Sequence, residues 1–515
     1  MPRTSTKTKI TPPYYPIVFV RGYAMRADER EETYYDTYYG FAATSVEKRQ
    51  AAPPKYFEAD MFEGQLVRFM KLGDYAYADS VNRGERISPA HPGRSLWVSR
   101  FYDRDYYQDS IRSIEDHAEE LRELVCETIP ERLRKSDVDM GTNDKDFRVI
   151  LLAHSMGGLV CRTLIQNLLP KKKQDPKRWI HRLVTMGTPH RGIELSAIPD
   201  FMERIVARTK INLFDANIFS EPRMRKYLNV PDECDVHSLG TDGPLAFPAK
   251  RCLCLIGSDY QSYGAVRYVT GSFSDGLVKQ SNAYVVSGPK PKTKNGEYDD
   301  ARTAYYANVH RAHSGRRGIV NSYESFENIQ RFLFGDTKIQ IRLENIKVNT
   351  QIEKDCDAFY DIEFLFSIRN SNAFLHRRQQ DPCENAIRFS RDELRSSIVL
   401  HTAFLNSSLR DTDDDYSHFA MRFRVLERQT KRGLLRDTEY PERQIYSESV
   451  EIRVGDGGKE LPTVDYHWLS DTGDWQSAER SNDGTYRTPL RAAAAFGADI
   501  VVQASNWPDN NLTQD

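Results

Sequence analysis

The residues best suited to do chemistry lie in the segment Phe147–Thr163, which reads FRVILLAHSMGGLVCRT. An apolar run of strand length leads into Ser155, and a helical pattern follows it. Small residues near the serine, Ala153 and Gly157, allow a sharp strand-to-helix turn that holds the hydroxyl above a sheet edge. A serine placed in this way is suited to attack a carbonyl carbon, with the amide of Met156 beside it. A serine that merely caps a helix is the alternative.

Two motifs carry a resemblance to a known family. AHSMGG at 153–158 resembles the nucleophile elbow of the α/β-hydrolase superfamily, specifically its lipase and esterase branch, with alanine for the first glycine of G-x-S-x-G. GTPHRG at 187–192 is similar to the segment after the next strand in lipases and in GPI inositol-deacylase-like proteins. The resemblance extends in order over about residues 14–335. It implies a Ser-His-acid triad and an acyl-enzyme intermediate.

The same resemblance indicates an oxyanion hole. PIVFVRGYAM at 16–25 resembles the lipase strand that ends in His-Gly-Phe or His-Gly-Leu. By that match the second oxyanion amide belongs to Tyr23, with Met156 as its partner. Arg21 stands where the family has histidine, which is a departure. Arg21 either makes a structural ion pair or meets an anionic group of the substrate, such as a phosphate.

The histidine and the acid each have two candidates. The superfamily order is serine, acid, histidine. His313 heads a glycine-containing loop before the last amphipathic helix, which is where the family's histidine lies, and His310 is the alternative. Asp275 lies in SDGLV, which looks like the lipase motif carrying the triad acid, and we favour it. Asp259 follows an apolar strand and is the alternative, although aspartate is also common at such turns.

The elements around these residues favour a parallel sheet covered on both faces. Apolar runs alternate with helical patterns over residues 1–335, which we assign to an α/β-hydrolase catalytic domain. The predicted strands are Ile17–Val20, Leu96–Phe101, Val149–Ala153, Leu183–Met186 and Cys252–Ile256, with helices at the 114–125 pattern, after Ser155 and over 320–334. Residues of about 24–94 and 193–248 break this pattern and are expected to be lid-type insertions.

After residue 335 the pattern changes. Segments such as IQIRLENIKV, FYDIEFLFSI and HFAMRFRVLE alternate apolar and polar residues, and turn-rich stretches separate them. We therefore expect residues 336–515 to form an antiparallel, β-sandwich-like domain. The aspartates 411 and 413–415 lie between two of its strands, and a calcium site there is an alternative to an ordinary turn.

Composition excludes several classes of protein. The 515 residues carry 72 lysines and arginines against 74 acidic residues, which argues against a nucleic-acid binder. No apolar stretch is long enough for a transmembrane helix, and the N-terminus does not read as a signal peptide, so a cytoplasmic location is expected, with export by a signal-independent route as the alternative. The seven cysteines are scattered, so reduced thiols are expected. We expect neither a cofactor nor a metal.

These observations favour a serine hydrolase of carboxylic acyl esters, with a lipid as the expected substrate. One alternative is a phospholipase or GPI-type deacylase that acts as a membrane-directed effector, with peripheral membrane contact. A second alternative, from a different class, is an inactive hydrolase-fold scaffold that acts through its β-domain. The sequence names no protein partner for that domain.

Overall fold

The computed structural model of the chain describes residues 8–22, 46–50, 57–61, 64–78, 91–101, 112–193, 218–262, 273–292, 298–315, 317–371, 373–391, 397–411, 414–431, 438–455 and 462–508. Contacts between Cα atoms divide the chain into two units. Unit 1 comprises Met1–Tyr306 and Arg311–Phe326, and unit 2 comprises Ala307–His310 and Glu327–Asp515. The division runs through the helix Tyr323–Phe334, slightly before the predicted boundary at residue 335.

Eleven strands lie between residues 8 and 309 in the described part of the chain, and the five predicted ones are present as β2, β6, β8, β9 and β10. They are β1 (Thr8–Lys9), β2 (Ile17–Val20), β3 (Val46–Gln50), β4 (Phe57–Met61), β5 (Ala76–Tyr77), β6 (Ser95–Ser99), β7 (Val138–Asp139), β8 (Val149–His154), β9 (Ile180–Met186), β10 (Cys252–Gly257) and β11 (Tyr305–Val309).

Helices are present at each of the three predicted places, and the structure describes others besides. They are α1 (Gln65–Leu72), α2 (Ile114–Glu123), α3 (Ile129–Lys135), α4 (Met156–Thr163), α5 (Leu169–Lys171), α6 (Pro176–Trp179), α7 (Glu221–Leu228) and α8 (Tyr323–Phe334). Single π-helical turns at Leu124–Thr128 and Leu164–Leu168 join α2 to α3 and α4 to α5. Ser113 caps the start of helix α2, and its hydroxyl accepts from the amide of Asp116 in a capping box.

The main sheet has seven strands in the order β11-β10-β9-β8-β2-β6-β5. The pairs β5–β6, β6–β2, β2–β8, β8–β9 and β9–β10 are parallel. Val149–Ala153 of β8 are fully buried, which is expected for a central strand covered on both faces. The predicted α/β-hydrolase fold with a mostly parallel sheet is confirmed. Parallel strands end at one edge, so the residues after β2, β8, β9 and β10 lie near one another.

The region predicted as the first insertion contributes to this sheet. Strand β5 pairs with β6 at the sheet edge, and helix α1 lies between β2 and β5 in the chain. Phe69 of α1 packs edge-on against Phe326, and its ring lies 5.2 Å from that partner. The poor periodicity of residues 24–94 therefore hid one helix and one strand of the main fold. In the second insertion, the structure describes helix α7.

Unit 2 is built from strands that pair antiparallel. They are β12 (Thr337–Val348), β13 (Cys356–Ile368), β14 (Phe374–Arg378), β15 (Ile387–Ser390), β16 (Ser397–Leu405), β17 (Tyr416–Lys431), β18 (Thr438–Glu439), β19 (Arg443–Gly455), β20 (Val464–Trp468), β21 (Gln476–Ser477), β22 (Glu479–Arg480), β23 (Tyr486–Pro489) and β24 (Phe496–Asn506). One sheet has the order β16-β12-β24-β23-β22, and the other β14-β13-β17-β19-β20-β21.

The two sheets of unit 2 share one apolar core. Alternate residues of β12, among them Ile339 and Ile341, are buried with Phe364 of β13 and Phe423 of β17. A core lined by both sheets makes unit 2 a sandwich, so the predicted all-β architecture is confirmed. No helix in the described part of the chain is long and apolar enough to cross a membrane.

Two histidines stack inside the core of unit 2. His376 of β14 and His401 of β16 belong to opposite sheets, and their ring centroids are 4.1 Å apart. Neither ring nitrogen of His401 has a hydrogen-bond partner among the described residues. Burial lowers the pKa of His401 to about 3. Burial, followed by the charges of His401 and Arg378, lowers the pKa of His376 well below its usual value.

This pair predicts that the protein loses stability in acid. The folded pKa of His401 lies below the value of about 6.5 expected in the unfolded chain, so the unfolded state binds protons first. The contribution to stability is complete above pH 6.5 and is lost as the pH falls toward about 3. At pH 5 the loss from His401 is about 2 kcal/mol. Urea unfolding of the full chain at pH 7.5 and at pH 5 measures this loss of unfolding free energy.

A substitution isolates the contribution of this histidine. His401→Phe keeps an aromatic ring against His376 and Phe366, and it should reduce the pH dependence of the unfolding free energy. The exposed His91 provides a control, since His91→Gln should leave the pH dependence as it is in the wild type. An unchanged slope in His401→Phe would show that this ring is not a source of acid sensitivity.

Candidate active site

Ser155 occupies a strained turn between β8 and α4. Its backbone has φ 52° and ψ −129°, outside the regions that side-chain-bearing residues prefer. The Ser155 amide donates to the carbonyl of Met186 at 3.0 Å, and its carbonyl accepts from the amide of Gly158 at 3.0 Å. Strain of this kind persists only where surrounding structure enforces it, and it concentrates at functional sites. The predicted turn is present.

Three glycines around this turn allow the backbones to approach closely. A Cβ atom on Gly157 would lie 2.3 Å from the carbonyl oxygen of Val20, and one on Gly158 would lie 2.3 Å from the Thr188 hydroxyl. A Cβ atom on Gly22 would lie 2.7 Å from that of Ser155. The elbow motif is therefore packed against the end of β2 and against the GTPHRG segment. This packing explains why glycine stands at these positions.

His313 lies between Ser155 and Asp275. Its Nδ1 is 2.9 Å from Asp275 Oδ2, and its Nε2 is 2.9 Å from Ser155 Oγ. Because a carboxylate only accepts, Nδ1 carries the proton, and Nε2 is left to accept from the serine hydroxyl. All three side chains are buried, with 8% of Ser155, 3% of His313 and 1% of Asp275 exposed. The arrangement allows proton transfer from the serine to the imidazole.

Backbone amides orient the carboxylate of Asp275. Its Oδ1 accepts from the amides of Leu277 at 3.0 Å and Val278 at 2.7 Å, which leaves Oδ2 for His313. The backbone amide of His313 donates to the carbonyl of Asp275 at 2.8 Å. The two residues are thus joined through both side chain and main chain. The SDGLV motif supplies the acid together with the amides that hold it.

The alternative acid and the alternative histidine lie elsewhere. The carboxylate of Asp259 accepts from the amide of Ser262 at 3.0 Å, which is the turn-stabilising role considered in the sequence. His310 is in unit 2, with its Nδ1 3.7 Å from the sulfur of Cys383. The structure brings Asp275 and His313 to Ser155, and it places Asp259 and His310 in these other contacts.

Of the two residues expected to form the oxyanion hole, Met156 lies within the described part of the chain. Met156 is the first residue of α4, directly after Ser155, and it is buried. The expectation for Tyr23 falls outside the described residues. Arg21 follows β2 and is half-buried, and burial, then the charges of His313 and Arg21, lower the pKa of His154. An amide at the start of a helix after the serine is suited to donate to a developing oxyanion.

Gly187 is a site residue that sequence reasoning missed. It follows β9 with φ 55°, and a Cβ atom there would lie 2.9 Å from Asp275 Oδ2 and 3.2 Å from His313 Nδ1. The backbone therefore passes directly against the hydrogen bond between the acid and the histidine. The sequence signal that could have pointed to Gly187 is its position as the first residue of the GTPHRG motif. Only the fold reveals what it contacts.

Arg162 is a second residue that the sequence did not reveal. It is fully buried on α4, and its guanidinium donates to the carbonyls of His190, Val236 and Ser238 at 2.8–3.1 Å and to the side chain of Gln166 at 2.8 Å. Burial lowers its pKa to about 10, so it stays charged at neutral pH. Arg162 ties the helix that follows the nucleophile to the GTPHRG segment.

The described residues include no group of three histidine, cysteine or acidic side chains arranged to hold a metal ion. Near the proposed calcium alternative, Asp411 accepts from the amide group of Asn370 at 3.0 Å. The carboxylate of Asp414 accepts from the Tyr416 amide at 2.9 Å and lies 3.0 Å from His418 Nε2. Asp413 lies outside the described residues. The hydrogen bonds of Asp411 and Asp414 fit an ordinary turn.

The chain is similar to a known protein family over part of its length. Residues 88–217 match the family model described as a PGAP1-like alpha/beta domain. The matched range contains the elbow and the GTPHRG segment. No curated protein matches the sequence. The family match and the fold together support the resemblance to the lipase branch of the α/β-hydrolase superfamily.

Several solved structures are similar at low identity. The mature lipase BlEst2 of Bacillus licheniformis is 15% identical over 60% of this chain and 88% of its own, with a TM-score of 0.29. Phospholipase PlaB from Legionella pneumophila is 14% identical over 85% of this chain and 91% of its own, with a TM-score of 0.31. The metagenomic carboxyl esterase MGS0156 is 10% identical over 53% of this chain and 61% of its own, with a TM-score of 0.26.

The position of Gly187 generates a prediction. Gly187→Ala should destabilise the fold and separate His313 from Asp275, because its methyl group must displace one of them. The matched control is Gly240→Ala, which also has a positive φ, +103°, but has no atom within 4 Å of its Cβ position. Both variants pay the left-handed backbone cost of about 1 kcal/mol.

Only Gly187→Ala should lose more than about 1 kcal/mol of unfolding free energy. It should also be the only one of the two in which Ser155 loses reactivity toward a fluorophosphonate. Urea unfolding and the labelling rate measure the two effects. Equal losses in the two variants would contradict the role assigned to this close approach.

Proposed function

We propose that the protein is a serine hydrolase of carboxylic acyl esters. The observation that carries the proposal is the position of His313, hydrogen-bonded at 2.9 Å to Asp275 on one side and to Ser155 on the other. A serine alone is a weak nucleophile at neutral pH, and an adjacent base that is itself oriented by an acid activates it. The strained turn and the parallel-sheet edge fit the same chemistry.

In the proposed reaction, Ser155 Oγ attacks the ester carbonyl while its proton passes to His313 Nε2. The carbonyl oxygen becomes an oxyanion, stabilised by the amide of Met156 and, as the family resemblance implies, by that of Tyr23. The imidazolium then gives its proton to the departing alcohol, which leaves an acyl group on Ser155. Water, activated by His313, releases the acid and restores the serine. Asp275 stays ionised and stabilises the imidazolium.

A lipid or another acyl ester is the proposed substrate. A phospholipase or GPI-type deacylase with membrane contact is the narrower alternative, and the resemblance of GTPHRG to the corresponding segment of GPI inositol-deacylase-like proteins is the observation that favours the deacylase. The inactive-scaffold alternative is less consistent with the geometry, since a fold without activity has no need to keep the Ser155–His313–Asp275 hydrogen bonds or the strain at Ser155. The panel of substrates in the next experiment separates these proposals.

Removal of the nucleophile tests the proposal. Ser155→Ala should lose several orders of magnitude in kcat on short-chain p-nitrophenyl esters while the thermal unfolding midpoint stays close to that of the wild type. Phospholipids and triglycerides assayed in parallel identify the substrate class. A wild-type protein with no activity on any ester would favour the scaffold. Activity of the variant within tenfold of an active wild type would exclude Ser155 as the nucleophile.

A pair of matched substitutions tests the acid. Asp275→Asn keeps the shape of the side chain but replaces an acceptor with a donor facing His313, and the wrong tautomer can cost about 10⁴ in kcat. Asp259→Asn should cost far less, because an asparagine oxygen also accepts from the Ser262 amide. Steady-state kinetics of both variants decide the assignment. A larger loss in Asp259→Asn than in Asp275→Asn would reverse it.

A further inference from the structure

His154, the residue immediately before the nucleophile, is hydrogen-bonded to the loop that carries His313. Its Nε2 lies 3.0 Å from the main-chain carbonyl oxygen of His313. The centroids of the two imidazole rings are 5.0 Å apart. His154 is the last residue of β8, so this contact joins the central strand to a loop 159 residues later in the chain. The elbow motif alone gave no role to this side chain.

The chemistry of the contact determines which nitrogen carries the proton. A carbonyl oxygen only accepts, so the hydrogen bond requires a proton on Nε2 of His154. Burial lowers the pKa of His154 well below its usual value, and the charges of His313 and Arg21 lower it further. His154 is therefore neutral near pH 7, with its proton held on Nε2. It donates without adding a second positive charge beside the imidazolium.

The contact completes the set of hydrogen bonds around His313. The His313 amide donates to the carbonyl of Asp275, and its ring bonds to Asp275 and Ser155. The carbonyl is the remaining polar group of the residue, and His154 satisfies it. This bond also comes from the residue adjacent to Ser155, so it couples the position of the proposed base directly to that of the nucleophile.

We propose that His154 is a positioning residue that holds His313 at hydrogen-bonding distance from Ser155 by donating to the His313 carbonyl. The proposal rests on the proposed function for its effect on hydrolysis. Loss of the bond would free the loop to shift, and a displacement of about 1 Å at the reacting atoms can cost about 10²-fold in rate. The effect belongs to the chemical step, so it should appear in kcat and not in KM.

Two substitutions of similar length separate donation from packing. His154→Gln places an amide NH₂ group near the position of Nε2 and can donate to the same carbonyl. His154→Met fills a similar volume but has no donor. We expect the Met variant to lose at least tenfold in kcat on a p-nitrophenyl ester, with KM within threefold of the wild type. The Gln variant should stay within about threefold in kcat. If the Met variant does not fold, His154→Asn replaces it, because its amide is one methylene too short to reach the carbonyl.

A spectroscopic signal tests the inference without any ester. The Nδ1 proton shared between His313 and Asp275 should give a far-downfield proton NMR resonance in the wild type and in His154→Gln. In the Met or Asn variant it should be weakened or exchange-broadened. Retention of the full resonance and of kcat within threefold in the variant without a donor would overturn the proposal. So would equal losses in the Gln variant and in the variant without a donor.

The two proposals fail in distinguishable ways. If Ser155→Ala keeps its esterase activity, the proposed function fails, yet the NMR comparison of the His154 variants still tests the positioning contact. If Ser155→Ala is inactive and the variant without a donor behaves like the wild type in both measurements, the hydrolase proposal stands and His154 has no positioning role.

Discussion

The left-handed backbone of Ser155 is the constraint on which the rest of the site depends. A residue with a Cβ atom adopts this conformation only when its surroundings compensate for the strain. Here the end of β2, the GTPHRG segment and the start of α4 all pack against the turn, and glycine at 22, 157 and 158 makes the close approach feasible. The buried guanidinium of Arg162 then ties α4 to the same segment. The turn and its supports are consequently one packing unit.

The sequence was informative where function depends on local pattern. The elbow shows itself within a dozen residues, because an apolar strand, a serine between small residues and a helix must be contiguous. Asp275 was favoured over Asp259 because SDGLV resembles the lipase motif that carries the triad acid. The strands β2, β8 and β10 were predictable since buried parallel strands read as unbroken apolar runs.

The remaining features arise from contacts between distant segments. Gly187 passes against the side chains of Asp275 and His313, and no short segment of sequence reveals that contact. His154 has a partner 159 residues away, and Arg162 bonds to carbonyls 28 to 76 residues distant. Helix α1 and strand β5 were hidden because they lie in an aromatic, charged region with little periodicity. The close packing of β2, the GTPHRG segment and α4 around Ser155 is likewise visible only in the fold.

The order of the site residues along the chain has a consequence for biosynthesis. His313 lies 158 residues after Ser155, and Asp275 lies 38 residues before His313. At synthesis rates of about 5–20 residues per second, a nascent chain carries the serine for roughly 8–30 s before its proposed base exists. Under the proposed mechanism, an incomplete chain that ends before residue 313 carries the nucleophile without its base. A ribosome that stalls before residue 313 therefore releases a chain that lacks the proposed base.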